Sequence, residues 1–195
     1  MKRMTRATVG LWMRAGMLGV ALPLFGTEVF WSGATSRNWH TPSNWSVGSV
    51  PTDEDVAVFD PAQQPVTRWA FLLTNSVSVA GLRFTNLTQA VHGDAEGGAA
   101  LAVGAAGVCV SGADVALALP CAVAAPQTWS VSEGCELVHS GGLRGAATLT
   151  KAGEGRVWLK GQSIFTGSYR VEAGTLKSVS AYEAPVMDGL AVWLD

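Results

Sequence analysis

The residues with the most distinctive chemistry near the start of the chain are three closely spaced tryptophans, Trp31, Trp39 and Trp45. A flat indole ring packs well against the C–H face of a pyranose, so the three rings could form a glycan-stacking surface. The same rings would bury a large apolar area if they packed against one another. The sequence leaves both roles open and favours packing.

Side chains suited to acid–base or nucleophilic chemistry are few and stand apart from one another. The histidines His40, His92 and His139 belong to no catalytic motif, and we expect turn or surface positions for all three. The sequence has no Gly-x-Ser-x-Gly elbow, His-Glu-x-x-His helix, Cys-x-x-Cys pair or phosphate-binding glycine loop. We therefore expect no catalytic residues, no cofactor and no enzyme activity.

Two acidic clusters, Asp53 to Asp55 and Asp94 to Glu96, offer the carboxylate oxygens that calcium prefers. Neither cluster has the ligand spacing of a calcium-binding loop. Solvated turn residues are the favoured interpretation, and no metal site is expected.

Cys109, Cys121 and Cys135 are odd in number, so a closed set of disulfides is excluded and at most one bridge can form. In strands rich in glycine and alanine, a free cysteine behaves as a small apolar side chain. The favoured interpretation is three core residues.

The elements that must position these side chains are short strands. Val115, Leu117 and Leu119 alternate with alanines, which is the period of a strand with one buried face. No segment after residue 30 has the pattern of an amphipathic helix. The predicted strands are Val56–Phe59, Ser76–Val79, Leu82–Thr85, Ala99–Val103, Val108–Val110, Val115–Leu119, Gln127–Val131, Glu136–Val138, Thr148–Thr150, Arg156–Lys160, Ser168–Glu172 and Thr175–Ser178.

Glycines that precede strands recur at a nearly constant spacing, as Gly112, Gly134, Gly155 and Gly174 show. A repeat of about 20 residues with two or three short strands is typical of a solenoid, whose coils bury their apolar faces by stacking. We predict an all-β fold, a short right-handed parallel β-helix (β-solenoid). An immunoglobulin-like sandwich is the competing fold.

The composition limits the partners. Charged residues make up 14% of the chain and the net charge is -2, so no basic surface for nucleic acid is expected. The first residues are basic and precede an apolar run from Ala15 to Phe25, as in a signal peptide. That run is shorter than the roughly 20 residues of a spanning helix. An amphipathic first helix and an uncleaved anchor are the alternatives.

Residues 149–176 carry a recognisable pattern: Leu149-Thr150-Lys151-Ala152-Gly153-Glu154-Gly155-Arg156-Val157-Trp158-Leu159, then Thr166-Gly167, then Val171-Glu172-Ala173-Gly174-Thr175-Leu176. This order resembles the autotransporter-associated β-strand repeat. The segment from Trp31 to Phe59 is similar to the tryptophan-rich opening of related exported proteins. The resemblance implies a passenger-type β-solenoid of an exported bacterial surface protein. Nothing in the sequence resembles the membrane barrel of an autotransporter, and Met187 to Asp195 resembles the first strand of a concanavalin-like jelly roll, as expected of a truncated fragment.

The sequence thus divides into a signal peptide (1–27), a tryptophan-rich N-terminal cap (28–65), a β-solenoid (66–180, with the repeat clearest at 147–178), and a linker with the start of a jelly-roll-like domain (181–195). The expected function is a non-catalytic spacer or adhesion scaffold, secreted or on the outer cell surface. Its expected partners are an extracellular polysaccharide or another surface protein, and it meets the membrane only through the signal peptide. The alternative function is a carbohydrate-binding module, or a fragment of a larger polysaccharide-interacting exported protein.

Overall fold

The computed structural model describes residues 26–179. The predicted signal peptide, residues 1–27, lies outside the described residues except for its last two, and the predicted linker and jelly-roll start, residues 181–195, lies wholly outside them. The described residues form an all-β structure, a β-solenoid of about six turns. This confirms the predicted fold class.

Sixteen strands and one 3₁₀ turn, Pro42–Asn44, build the described part of the chain. In chain order the strands are β1 (Glu28–Phe30), β2 (Val56–Phe59), β3 (Ala70–Leu73), β4 (Val77–Phe84), β5 (Val91–Ala95), β6 (Leu101–Val110), β7 (Val115–Ala118), β8 (Cys121–Val123), β9 (Gln127–Val131), β10 (Glu136–His139), β11 (Leu143–Gly145), β12 (Leu149–Ala152), β13 (Arg156–Leu159), β14 (Ile164–Phe165), β15 (Tyr169–Val171) and β16 (Thr175–Ser178).

The strands stack into three faces. The first face runs β3-β5-β7-β10-β13-β16. The second face is β8-β11-β14 and the third is β9-β12-β15, and both continue from the long strand β6, whose two halves pair with β8 and β9. Beyond β6 the ladder extends through β4 and β2 to β1, so it begins within the segment 28–65. All these pairs between strands are parallel, so each coil rests on the one before it.

The register of the first face gives the length of each coil. Val115 pairs with Leu137, Glu136 pairs with Arg156, and Arg156 in turn pairs with Thr175. Each coil therefore advances the chain by about 20 residues, the length typical of such a repeat. The coil length inferred from glycine spacing is confirmed.

One corner shows why glycine is required. Gly112 adopts a φ of +94°, a region that side chains disfavour. A Cβ atom there would lie 2.6 Å from the main-chain nitrogen and oxygen of Leu87 in the coil before. The corner glycine thus allows two turns of backbone to approach each other.

The core consists of columns of matching side chains. Leu117, His139 and Leu159 occupy equivalent register positions on β7, β10 and β13, and all three are buried. A second buried column on the same face consists of Val115, Leu137, Val157 and Leu176. Each column residue is covered by its neighbours in adjacent coils, which is how a solenoid buries apolar area.

Candidate functional site

The three predicted glycan-stacking residues lie together, but they lie inside the protein. Trp31 and Trp39 are 0% exposed and Trp45 is 3% exposed. Ring centroids are 5.0 Å apart for Trp31 and Trp45 and 4.6 Å apart for Trp39 and Trp45, both edge to face. Phe59 and Phe71 complete this group, which we call the aromatic cluster. Stacking on a sugar needs an exposed ring face, and none of the three tryptophans has one.

Hydrogen bonds fix the loop that carries these rings. The Trp45 indole nitrogen donates to the Trp39 carbonyl at 2.8 Å. Asn44 is fully buried, and its side-chain oxygen accepts from the main-chain nitrogens of Thr35 and Ser36 at 2.9 and 3.0 Å. No motif in the sequence singled out Asn44, whereas the structure shows that it organises the loop. The Trp45 indole nitrogen and the Asn44 side-chain oxygen thus form hydrogen bonds within the loop itself.

The expectation for the histidines is wrong for one of the three. His92 is exposed on β5 and His40 is half-buried in a loop, but His139 is 1% exposed and occupies the core column. Its Nε2 lies 3.0 Å from the Leu119 carbonyl oxygen, so Nε2 carries the proton and donates. Burial lowers the pKa of His139 to about 4, against the opposing effect of that hydrogen bond. His139 is therefore a neutral packing residue.

Lys151 is another ionisable side chain in the core. It is 1% exposed and lies in register between Trp129 and Val171. Its Nζ donates to the carbonyl oxygens of Ala152, Gly153 and Ala173 at 2.7, 2.6 and 3.2 Å. Burial lowers the pKa of Lys151, and the charge of nearby Glu154 raises it. The ammonium closes a corner by satisfying carbonyls of two successive coils.

All three cysteines are free thiols. Cys121 and Cys135 are buried as predicted, and burial raises the pKa of Cys121 to about 12. The prediction is wrong for Cys109, which is half-buried because it alternates with the inward side chains of Val108 and Val110. The alternation of the strand, rather than the residue type, decides which cysteine enters the core.

The acidic clusters have structural partners. Asp55 accepts hydrogen bonds from the nitrogen and the hydroxyl of Thr52 at 2.8 and 2.7 Å, so it stabilises a turn. Asp94 lies on β5 rather than in a turn. Within residues 26–179, no three His, Cys, Asp or Glu side chains lie close enough to form a metal-binding group. The same residues include no helix with the length and apolarity needed to cross a membrane.

An open groove of about 600 Å³ lies beside the start of the first face. The loop before Trp39 docks along β3, because Leu72 donates to the Arg37 carbonyl and Trp39 donates to the Leu72 carbonyl, at 2.7 and 2.9 Å. This docking holds Arg37 at the rim of the groove. The lining residues are Arg37, Arg68, Trp69, Ala70, Gln89, Ala90 and His92.

Two cationic side chains, Arg37 and Arg68, stand in the otherwise largely apolar lining of this groove, which we call the Trp69 groove. One terminal nitrogen of the Arg68 guanidinium donates to the carbonyl oxygens of Gly33 and Ala34, and these neutral partners leave its charge uncancelled. Arg37 lies 3.9 Å from the Asp94 carboxylate, and both side chains are about half exposed. Such an exposed pair is weak. The groove therefore keeps an excess of positive charge beside a half-buried indole.

Sequence reasoning did not single out Trp69. The one available signal is its place beside Arg68, directly before the apolar strand β3. A docked loop brings Arg37 to it from an earlier part of the chain, and no local pattern reports that contact.

Comparisons with protein-family models, with curated proteins and with solved structures found no match to this chain.

Proposed function

We propose that this chain is a non-catalytic scaffold, a β-solenoid spacer of an exported surface protein. The observation that supports the proposal is the continuous parallel stacking of both sheets, one from β1 to β14 and β15 and the other from β3 to β16, in which every coil rests on the next. With about six turns and roughly 4.8 Å between paired strands, the ladder is about 30 Å long. A stack of this kind holds its two ends at a set distance.

The use of the buried polar groups supports the same role. His139 donates to a carbonyl of the coil before it, and Lys151 joins carbonyls of two coils. Gln127 donates to the Val103 carbonyl at 2.7 Å and accepts from the Trp129 indole at 2.9 Å. Side chains able to do chemistry are here bound to the backbone of the stack, where they contribute to its cohesion.

Export and a place on the outer cell surface belong to this proposal. They rest on the basic start with its apolar run and on the resemblance of residues 149–176 to the autotransporter-associated repeat. The tryptophan-rich segment acts in it as the amino-terminal cap, since its rings cover the end of the core with a large apolar area.

The test is removal of one coil in register. Deleting residues 137–156 brings Val157 to the position of Leu137, because the two are register partners in successive coils. The variant should fold and should remain accessible to added protease on intact host cells. Its maximum dimension in small-angle X-ray scattering should be about 4.8 Å shorter than that of the wild type.

A deletion of half a coil, residues 137–146, is the matched control. It places corner residues where strands belong and should unfold the carboxyl-terminal coils. The scaffold proposal fails if the intact chain turns over a panel of glycoside or ester substrates, or if the chain is found inside cells with Met1 intact. It also fails if the in-register deletion is no better tolerated than the control.

A further inference from the structure

We propose that the Trp69 groove binds an acidic saccharide, a uronic acid unit of an extracellular polysaccharide. This goes beyond the scaffold role, because it assigns a ligand class to a surface that stacking does not use. The inference rests on three features that converge in one place: a half-buried indole, an excess of guanidinium charge, and polar side chains at the rim.

The backbone that carries the Trp69 indole is held in place by hydrogen bonds. The ring packs partly against the core, and the residue's carbonyl accepts a hydrogen bond from the main-chain nitrogen of His92 at 2.9 Å. The carbonyl of the preceding Arg68 accepts from the Trp31 indole at 2.9 Å. A fixed ring loses little conformational freedom on binding, which favours a ligand that packs on it through C–H groups. The apolar face of a pyranose is such a ligand.

The charge of the groove selects an anionic sugar. Two guanidiniums, Arg37 and Arg68, line the groove, and the Asp94 carboxylate lies 3.9 Å from Arg37. A guanidinium presents paired donors that match the two oxygens of a carboxylate. Arg68 is already bound to two carbonyls, so it supplies mainly charge, whereas the exposed Arg37 can turn to the ligand.

The rest of the lining suits a hydroxyl-rich ligand. Gln89 offers both amide donors and an acceptor, and exposed His92 adds an imidazole. Ala70 and Ala90 are small and leave room for a ring above the strand. The volume of about 600 Å³ lies within the range of roughly 300–1,000 Å³ found for small-molecule sites.

The experiment is isothermal titration calorimetry of residues 1–195 with tetragalacturonate, with neutral maltotetraose as the comparison sugar. Tetragalacturonate should bind, and maltotetraose should bind at least tenfold more weakly. Added NaCl should lower the affinity for tetragalacturonate but leave that for maltotetraose unchanged. Arg37→Glu should reduce the affinity for tetragalacturonate at least tenfold. Gln89→Ala should reduce it a few fold.

Arg144→Glu is the matched control, because Arg144 is exposed on β11, away from the groove, and undergoes the same change of charge. This variant should bind tetragalacturonate with an affinity within about twofold of the wild-type value. Trp69→Ala should abolish binding, with unchanged circular dichroism as proof of folding. Should that variant fail to fold, Arg37→Glu and Gln89→Ala decide the matter, since both residues are exposed.

Several outcomes overturn the proposal: no binding of tetragalacturonate at millimolar concentration, equal binding of the neutral sugar, or equal losses in Arg37→Glu and Arg144→Glu. Preference for inorganic phosphate over tetragalacturonate would show an anion site without sugar recognition, and would also overturn it. None of these results bears on the coil deletion, so the scaffold and the binding site can fail separately.

Discussion

The two ends of the described solenoid are packed in different ways. Near the amino terminus, rings of different shapes fill the core, with Trp31 at 5.7 Å from Phe59 and Trp39 at 5.1 Å from Phe71, and with Phe59 stacked on Phe84 at 4.8 Å. Coils are longer on that side. Val91 pairs with Val115, 24 residues further along the chain, whereas Arg156 pairs with Thr175, only 19 residues further. Toward the carboxyl terminus, the shorter coils stack aliphatic side chains in a regular column, that of Val115, Leu137, Val157 and Leu176.

This difference shows two ways to bury apolar surface in one fold. The aromatic cluster depends on the shape of particular rings, so its energy is concentrated in a few large side chains. The carboxyl-terminal columns depend on equivalent positions, so their energy is a sum of similar coil and interface terms. Damage should therefore be irregular in the first region and graded in the second.

The largest effect is expected for Val157→Asp, which places a carboxylate in a buried column between Leu137 and Leu176. An unpaired buried charge should destabilise the protein by about 5 kcal/mol. We choose Val157 over Leu159, because Leu159 lies beside His139, which could partner a carboxylate. Hydrogen exchange should show lost protection in β13 to β16 before β3 to β6.

Arg156→Ala is the control for that variant, since Arg156 is the exposed neighbour of Val157. It should change the free energy of unfolding by less than about 0.5 kcal/mol. Uniform loss of protection along all coils would contradict the additive picture.

A somewhat smaller effect is expected for Phe59→Ala at the centre of the aromatic cluster. Phe59 is 0% exposed, and deleting its ring should leave a cavity that costs about 4 kcal/mol. Denaturant unfolding measures the loss. The same substitution at Phe165, a half-buried ring of the carboxyl-terminal coils, should cost less than half as much. Equal losses would mean that the two ends are not packed differently.

The smallest effect concerns acid stability. Because the pKa of His139 falls to about 4 in the folded state from an ordinary 6.5, the unfolded chain binds the extra proton first as the pH falls. The contribution of His139 to the free energy of unfolding is therefore fully present above pH 6.5. It is lost as the pH falls toward 4, by about 3 kcal/mol in all. His139→Leu, with Leu117 and Leu159 as neighbours, should remove this dependence.

The measurement is the difference in unfolding free energy between His139→Leu and the wild type at several pH values. The substitution also removes the donor of the Leu119 carbonyl, which changes the free energy of unfolding by the same amount at every pH. Only the pH dependence of the difference between the two proteins therefore reports the titration of His139. A difference that does not change with pH would contradict the role of His139.

The sequence predicted the solenoid because two signals in it are local. Alternation located strands such as β7 and β9, and corner glycines indicated the coil length. The strands β1, β3, β5, β8, β11 and β14 were missed. Four of them, β1, β8, β11 and β14, are too short for any period to be visible. The strand β3 is apolar throughout and β5 mixes polar residues with glycine, so neither shows the alternation that marks β7.

The burial of particular polar residues was less predictable for a related reason. His139 enters the core because its register neighbours are Leu117 and Leu159, and register is a property of the stack. The Trp69 groove requires a loop to dock along β3, which no spacing in the sequence encodes. For the tryptophans the sequence identified both roles, and burial distinguishes them.

The ammonium of Lys151 has a practical consequence for chemical labelling. Its three carbonyl partners belong to two coils, and a nitrogen so enclosed has no room for an acylating reagent. Lys160, directly after β13, is exposed, with its Nζ 3.9 Å from the centroid of the Trp158 ring, and should react faster than Lys151. The ratio of acylation at these two lysines, read by mass spectrometry, therefore reports whether the carboxyl-terminal corner is closed in an intact cell.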